Sequence, residues 1–155
     1  MFKKVCIAAC LIFFPAVFVT AQSAEKVTEM ISSENATYGQ VCYFSAVYQG
    51  LIDESASESD AVEALKNAGI LKSSIQENTA INLCSMAYIY AKTLKISGGI
   101  MYTLFPSKRY ALRELKANGI IPDALDPGMK VNGRLALNYF NACMTRYAKD
   151  TEGAN

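Results

Sequence analysis

A short stretch of sequence occurs twice in this chain, fifty residues apart. Residues 61–71 read AVEALKNAGIL and residues 111–121 read ALRELKANGII. In both copies the apolar positions follow the period of an amphipathic helix, and the glycine is placed to end that helix in a left-handed cap. A repeat of this length is one supersecondary unit that cannot bury its apolar face alone. The chain is therefore predicted to be an all-α protein, a small bundle of repeated helix-loop-helix units.

The same spacing continues into the helix that follows each copy. Ile81 matches Val131, Asn82 matches Asn132, and residues 36–51 resemble these segments at a slightly shorter spacing. The pattern predicts about two and a half units, which pack as helix pairs against their neighbours. They are placed at about 36–51, 60–95 and 106–148, within a single helical domain over 22–148 that is followed by a flexible tail at 149–155.

Apolar periodicity and capping residues predict the positions of the helices. Helices are expected at residues 24–33, 36–51, 61–68, 80–95, 107–117 and 132–149. Ser59 or Asp60 is expected to cap the third of these, and Asn78 or Thr79 the fourth. The apolar run at 100–105 fits either a short strand or a helical turn, because periodicity cannot decide so short a segment.

The first 21 residues have the pattern of a secretory signal peptide. Lys3 and Lys4 precede an apolar stretch over residues 5–19, and Ala21 is a small residue suited to the cleavage site. The stretch is short for a membrane span, which needs about 20 apolar residues. Lipidation at Cys10 is an alternative. The pattern predicts export to a bacterial periplasm or cell envelope.

The chain contains no histidine and no tryptophan. The commonest general base and metal ligand is therefore missing, and a Ser-His-Asp or Cys-His nucleophile is impossible. We expect no enzyme activity, no cofactor and no metal site. Cleavage would leave Cys42, Cys84 and Cys143, either as one disulfide with one free thiol or as three buried thiols.

Charge differs between the two halves of the chain. Residues 22–91 carry three Lys or Arg against nine Asp or Glu, whereas residues 92–155 carry ten against five. The asymmetry favours an anionic partner for the C-terminal half, the alternative being a solvated surface with an incidental dipole. Balanced total charge and predicted export argue against nucleic acid.

Residues 110–132 resemble the S-layer homology repeat. Residues 110–121 are similar to its first helix and Gly-Ile-Ile stop, and residues 126–132 to its Asp- and Pro-containing loop and the entry to its second helix. The family's Thr-Arg-Ala-Glu motif is replaced by residues 132–135, which moves the arginine to Arg134, one position along. Residues 61–94 resemble the repeat more loosely, and the combined resemblance covers about two thirds of residues 22–155. It implies the helical-repeat architecture. It also implies that Arg134 contacts anionic cell-wall polymer.

The segment 97–113 combines a Gly-Gly pair, aromatic residues and cations. Arg109 and Arg113 are one helical turn apart, and planar guanidinium groups bind carboxylate or phosphate in a bidentate way. An apolar linker followed by a solvated helix is the alternative interpretation. The candidate ligand-binding residues are Tyr102, Ser107, Lys108, Arg109, Tyr110, Arg113 and Arg134.

These observations predict a non-catalytic, exported module for binding or assembly in the envelope. Its expected partner is anionic cell-wall polymer or another envelope protein. The alternative is a periplasmic inhibitor or immunity-type protein that binds a partner enzyme.

Overall fold

The computed structural model describes the backbone of residues 16–152 and the side chains of residues 24–147, and the regular secondary structure in that part of the chain is α-helical. Its helices are α1 (Ala16–Ser32), α2 (Tyr38–Tyr48), α3 (Glu58–Asn67), α4 (Leu83–Thr93), α5 (Ile100–Leu104), α6 (Lys108–Ala117) and α7 (Gly133–Glu152). Within the described residues the only extended pairings are two isolated bridges, Thr37 with Ala80 and Asn82 with Lys130. The all-α prediction is confirmed.

The helices pack mainly in pairs, some between helices adjacent in sequence and some between helices distant in the chain. α2 packs on α3, α4 packs on α6, and α1 packs on α7, so that the two ends of the described chain come together. α4 also contacts both α2 and α7. The largest fully buried side chains are those of Met30, Val41, Leu65, Ile81, Leu83, Met86, Ile89, Tyr90, Leu115, Ile121 and Val131.

The two copies of the short repeat adopt the same conformation. α3 and α6 start and end fifty residues apart, and each is followed by a left-handed glycine, Gly69 at φ 71° and Gly119 at φ 70°. The amide after each glycine donates to the carbonyl of the buried leucine, with N···O distances of 2.9 Å at Leu65 and 3.0 Å at Leu115. Glycine is required there because the left-handed region penalises a Cβ.

The first turns of α2, α4 and α7 are joined in a ring by backbone hydrogen bonds. In each helix the first amide donates to a carbonyl of the segment that leads into another of the three helices. The bonds are Tyr38 N to Thr79 O at 2.9 Å, Leu83 N to Met129 O at 3.0 Å, and Gly133 N to Ser33 O at 2.9 Å. These bonds satisfy amides that a helix cannot satisfy internally.

The predicted caps of α3 and α4 were wrong. α3 is capped by Ser57, whose side chain accepts from Asp60 N at 3.1 Å while the Asp60 carboxylate accepts from Ser57 N at 3.1 Å. α4 is capped by Asn82, whose Oδ1 accepts from Ser85 N at 2.9 Å. The residues just before Asn82 are extended because they pair with the segment that leads into α2. Ala80 forms a bridge with Thr37, and Ile81 N donates to Ala36 O at 2.8 Å.

Other helix boundaries also differ from the predicted ones. α1 begins at Ala16, so that the predicted cleavage after Ala21 falls inside it, while residues 1–15 of the predicted signal peptide lie outside the described residues. α7 continues to Glu152, and the predicted tail is therefore helical over 149–152. The run at 100–105 is a short helix, α5. Among the described residues no helix is both long and apolar enough to cross a bilayer.

Candidate functional site

α6 presents two arginines that have no partner within the described part of the chain. Arg109 and Arg113 lie one turn apart and are exposed, and neither forms a hydrogen bond or an ion pair with a described residue. Ser107 begins this helix by accepting from Tyr110 N at 3.4 Å. The two guanidinium groups therefore remain available for an external anion.

These arginines line a groove of about 740 Å³ between α4 and α6, which we call the α4–α6 groove. Its walls are Cys84, Arg109, Leu112, Arg113, Lys116, Ala117, Asp123 and Pro127. Lys116 is already occupied, because its Nζ donates to Asp123 O at 2.7 Å and to Leu125 O at 2.8 Å. The cations free to meet a ligand in this groove are therefore Arg109 and Arg113.

Lys108 lines a second groove, and its side chain stabilises the packing of two helices. Its Nζ donates to the Oγ of buried Ser85 at 2.8 Å, a bond that ties α6 to α4. The second groove, of about 510 Å³, is lined by Tyr38, residues 69–72, Ile75, Ser85, Tyr88, Ile89 and residues 106–109. Arg109 borders both grooves, so the two form adjoining surfaces around the start of α6.

The remaining candidate residues do not join this site. Tyr102 is buried, 7% exposed, and burial raises the pKa of its hydroxyl to about 12, with Tyr88 and Glu114 adding to the rise. Tyr110 is half-buried against the core. Arg134 is exposed but lines a different groove with Val27 of α1. The predicted set thus divides into a pair of free arginines, two residues tied to the fold, two tyrosines packed on the core, and one separate arginine.

The α4–α6 groove has a counterpart of opposite charge fifty residues earlier. A groove of about 300 Å³ beside α3 includes Ser59, Glu63, Lys66 and Glu77, which occupy the positions of Arg109, Arg113, Lys116 and Pro127. Lys66 Nζ pairs with Glu63 at 2.7 Å. One backbone arrangement thus presents a mostly acidic groove in one half and a basic groove in the other.

Sequence reasoning missed the role of Glu114. Its Oε2 accepts from Gly99 N at 3.0 Å and its Oε1 accepts from Asn118 Nδ2 at 3.0 Å. Glu114 therefore anchors the Gly-Gly segment before α5 to α6. No signal in the sequence indicates this contact, because it joins residues fifteen positions apart through a loop.

The three cysteines among the described residues are free thiols, of which Cys42 and Cys143 are buried and Cys84 is partly exposed. Burial raises the pKa of Cys42 and that of Cys143 to about 12, and it also raises the pKa of Cys84 against an opposing effect of Lys108. Such thiols stay protonated near neutral pH and are poor nucleophiles. Across the described residues no group of His, Cys, Asp or Glu is arranged to hold a metal ion.

No protein-family model matches this chain, and no curated protein matches it significantly. The resemblance to the S-layer homology repeat therefore rests on the residues themselves.

Proposed function

We propose that this protein is a non-catalytic, exported module of the bacterial cell envelope that binds anionic cell-wall polymer through the α4–α6 groove. One observation is central to the proposal. Arg109 and Arg113 project from consecutive turns of α6 into one groove and have no carboxylate partner among the described residues. Arginine forks bind phosphate or carboxylate in a bidentate way, and a repeating polymer offers such groups in series.

The reactive groups of the chain support the non-catalytic part of this proposal. Histidine is absent from the sequence, and the pKa of each thiol is raised rather than lowered, which is opposite to an activated cysteine. Export is proposed from the N-terminal sequence pattern alone.

Co-sedimentation with isolated cell-wall sacculi tests the proposal. The purified protein should pellet with sacculi at low salt and be released as salt is added, because exposed charges are screened. Arg109→Gln/Arg113→Gln should weaken binding about tenfold or more, since each charge-assisted hydrogen bond is worth about 1.5–3 kcal/mol. Lys108 is left unchanged because it bonds to Ser85.

A matched control removes the same number of charges elsewhere. Lys72→Gln/Lys95→Gln replaces two exposed lysines that are not in the α4–α6 groove, and binding should change by less than about twofold if that groove is the site. Equal losses in both double variants would show only general attraction to an anionic wall. Absence of pelleting, together with one protein recovered by pull-down, would instead favour an inhibitor that binds a partner protein.

A further inference from the structure

The short helix α5 exposes an unusual amount of apolar surface. Ile100 is 77% exposed, Leu104 63%, Phe105 62% and Met101 54%. Successive helical residues are about 100° apart, so Ile100, Met101 and Leu104 occupy an arc of roughly 100° that leaves the opposite side to Tyr102. Phe105 follows directly after the last residue of the helix. We call these four residues the α5 edge. Contiguous apolar surface of this kind marks an interaction site on a protein.

The α5 edge is held outward by specific contacts on its other side. Tyr102 is buried beneath α5, and a Cβ on Gly98 would meet the Tyr102 ring at 2.7 Å, so the chain passes closely over that ring. Gly99 N donates to Glu114 at 3.0 Å, and Thr103 Oγ1 donates to Gly98 O at 3.2 Å. The apolar side chains therefore cannot turn inward without breaking the anchor of the segment.

The sequence that flanks the α5 edge is rich in cations. Residues 92–113 carry five cations and no Asp or Glu. These cations are Lys92, Lys95, Lys108, Arg109 and Arg113. Lys92 Nζ lies 5.8 Å from the ring centroid of Tyr88 on α4. The nearest carboxylate in sequence, Glu114, is already bonded to Gly99 and Asn118.

We propose that the α5 edge docks on a lipid bilayer that carries anionic headgroups. Apolar side chains surrounded by lysine and arginine suit the boundary between headgroups and acyl chains, where the apolar residues enter and the cations meet lipid phosphate. This binding is peripheral, and its apolar side chains are not part of the α4–α6 groove, although Arg109 and Arg113 of that groove are among the flanking cations.

A second copy of this chain fits the α5 edge less well. Four side chains form a patch of a few hundred Å², whereas a stable dimer buries roughly 800 Å² per partner. A symmetric dimer would also place two copies of the same cationic segment against each other. A bilayer needs no dimer-sized contact area and does not bring two cationic segments together.

Vesicle partitioning of the full protein tests this proposal. We expect binding to phosphatidylcholine vesicles that contain about a quarter phosphatidylglycerol, and binding at least about tenfold weaker to pure phosphatidylcholine, because each nearby cation gains from anionic lipid. Leu104→Ser should weaken binding about tenfold, since it removes one large apolar side chain from the lipid. Ile31→Ser, at an exposed isoleucine of α1, should leave binding unchanged.

A fluorescence measurement removes dependence on how well each variant folds. The chain contains no tryptophan, so Phe105→Trp supplies a single reporter at the α5 edge and Tyr48→Trp supplies one at an exposed position on α2. Emission should shift to the blue on addition of anionic vesicles for Phe105→Trp only. Three outcomes would overturn the proposal. The first is that the protein does not bind anionic vesicles, and the second is that it binds them without a blue shift of Phe105→Trp. The third outcome is that Leu104→Ser disrupts a dimer of the protein and vesicle binding is absent.

Discussion

At the scale of single residues, a few positions in this fold accept only one type of residue. Gly133 is such a position, because the helix start of α7 passes directly over the end of α1. A Cβ there would lie 1.6 Å from the carbonyl oxygen of Met30, a distance that no rotamer change can relieve. The Gly133 amide also donates to Ser33 O at 2.9 Å, so the backbone cannot retreat without losing a bond of the ring.

We therefore expect Gly133→Ala to lower the free energy of unfolding by about 3 kcal/mol or more, as measured by urea denaturation. Gly119→Ala is the matched control. Its Cβ would meet nothing within 4 Å, although its φ of 70° is left-handed. The control should lose about 1 kcal/mol, and equal losses in the two variants would contradict the close approach of α7 to Met30.

The cysteines give a second prediction at this scale. At pH 8 a native protein of residues 22–155, which lacks Cys6 and Cys10, should react with Ellman's reagent at Cys84 and not at Cys42 or Cys143. Burial raises the pKa of Cys42 and Cys143 to about 12 and denies the reagent access. Urea should expose all three. Cys84→Ser should abolish the native reaction, and rapid native labelling of this variant at either buried position would contradict the packing.

The same thiols predict a decline in stability in alkaline solution. Their pKa in the folded state lies above the ordinary value of 9.0, so the folded protein keeps protons that the unfolded chain releases. The free energy of unfolding should therefore fall as the pH rises above 9 toward about 12. Cys42→Ala/Cys143→Ala should reduce that dependence on pH when thermal unfolding is followed across the range.

At the scale of elements, α3 and α6 form a natural comparison, because they share a backbone but differ in their caps. Ser57 of α3 has a reciprocal capping box with Asp60, whereas Ser107 of α6 accepts one longer bond, 3.4 Å, from Tyr110 N. We expect Ser57→Ala to cost about 1 kcal/mol of stability and Ser107→Ala less, as measured by urea denaturation.

The capping box of α3 should also respond to acid. Hydrogen bonds from the Ser57 side chain and backbone lower the pKa of Asp60 below its usual 3.8. A lowered pKa means that the stabilisation is present above pH 3.8 and is lost as the pH falls through the folded-state value. The difference between wild type and Ser57→Ala should therefore shrink in strong acid, and a constant difference would contradict the role of Asp60.

At the scale of the whole molecule, the ring of helix starts makes the three helix pairs interdependent. The amides of Ile81, Leu83 and Gly133 donate to carbonyls that lie far away in the chain, so they are freed only when the pairs separate. Hydrogen exchange should show these amides opening at the free energy of global unfolding. The amides of Tyr102 and Thr103, which bond only to Gly99, should exchange faster. Early exchange at Ile81 or Gly133 would mean that one pair unfolds alone.

Much of the fold could be predicted because its signals are local. The helical period, the left-handed glycines and the fifty-residue spacing all report on bonds between residues a few positions apart, and Gly69 and Gly119 end their helices as expected. The placement of Arg109 and Arg113 one turn apart on a single helix was also predictable, because it depends on helix geometry alone. Helix starts were less predictable, because several Ser, Asn, Asp and Thr residues compete for each cap.

Tertiary structure alone decided the rest, because it depends on contacts between distant segments. The ring joins Ser33 to Gly133 through backbone atoms, which leave no side-chain pattern to read. In the sequence, Lys108 and Lys116 are cations of α6 like Arg109 and Arg113. In the structure Lys108 bonds to Ser85 of α4 and Lys116 bonds to the loop that follows α6, so only the two arginines of this helix remain without a partner among the described residues. The outward face of α5 likewise follows from the burial of Tyr102, a choice among apolar residues that only packing against α6 could make.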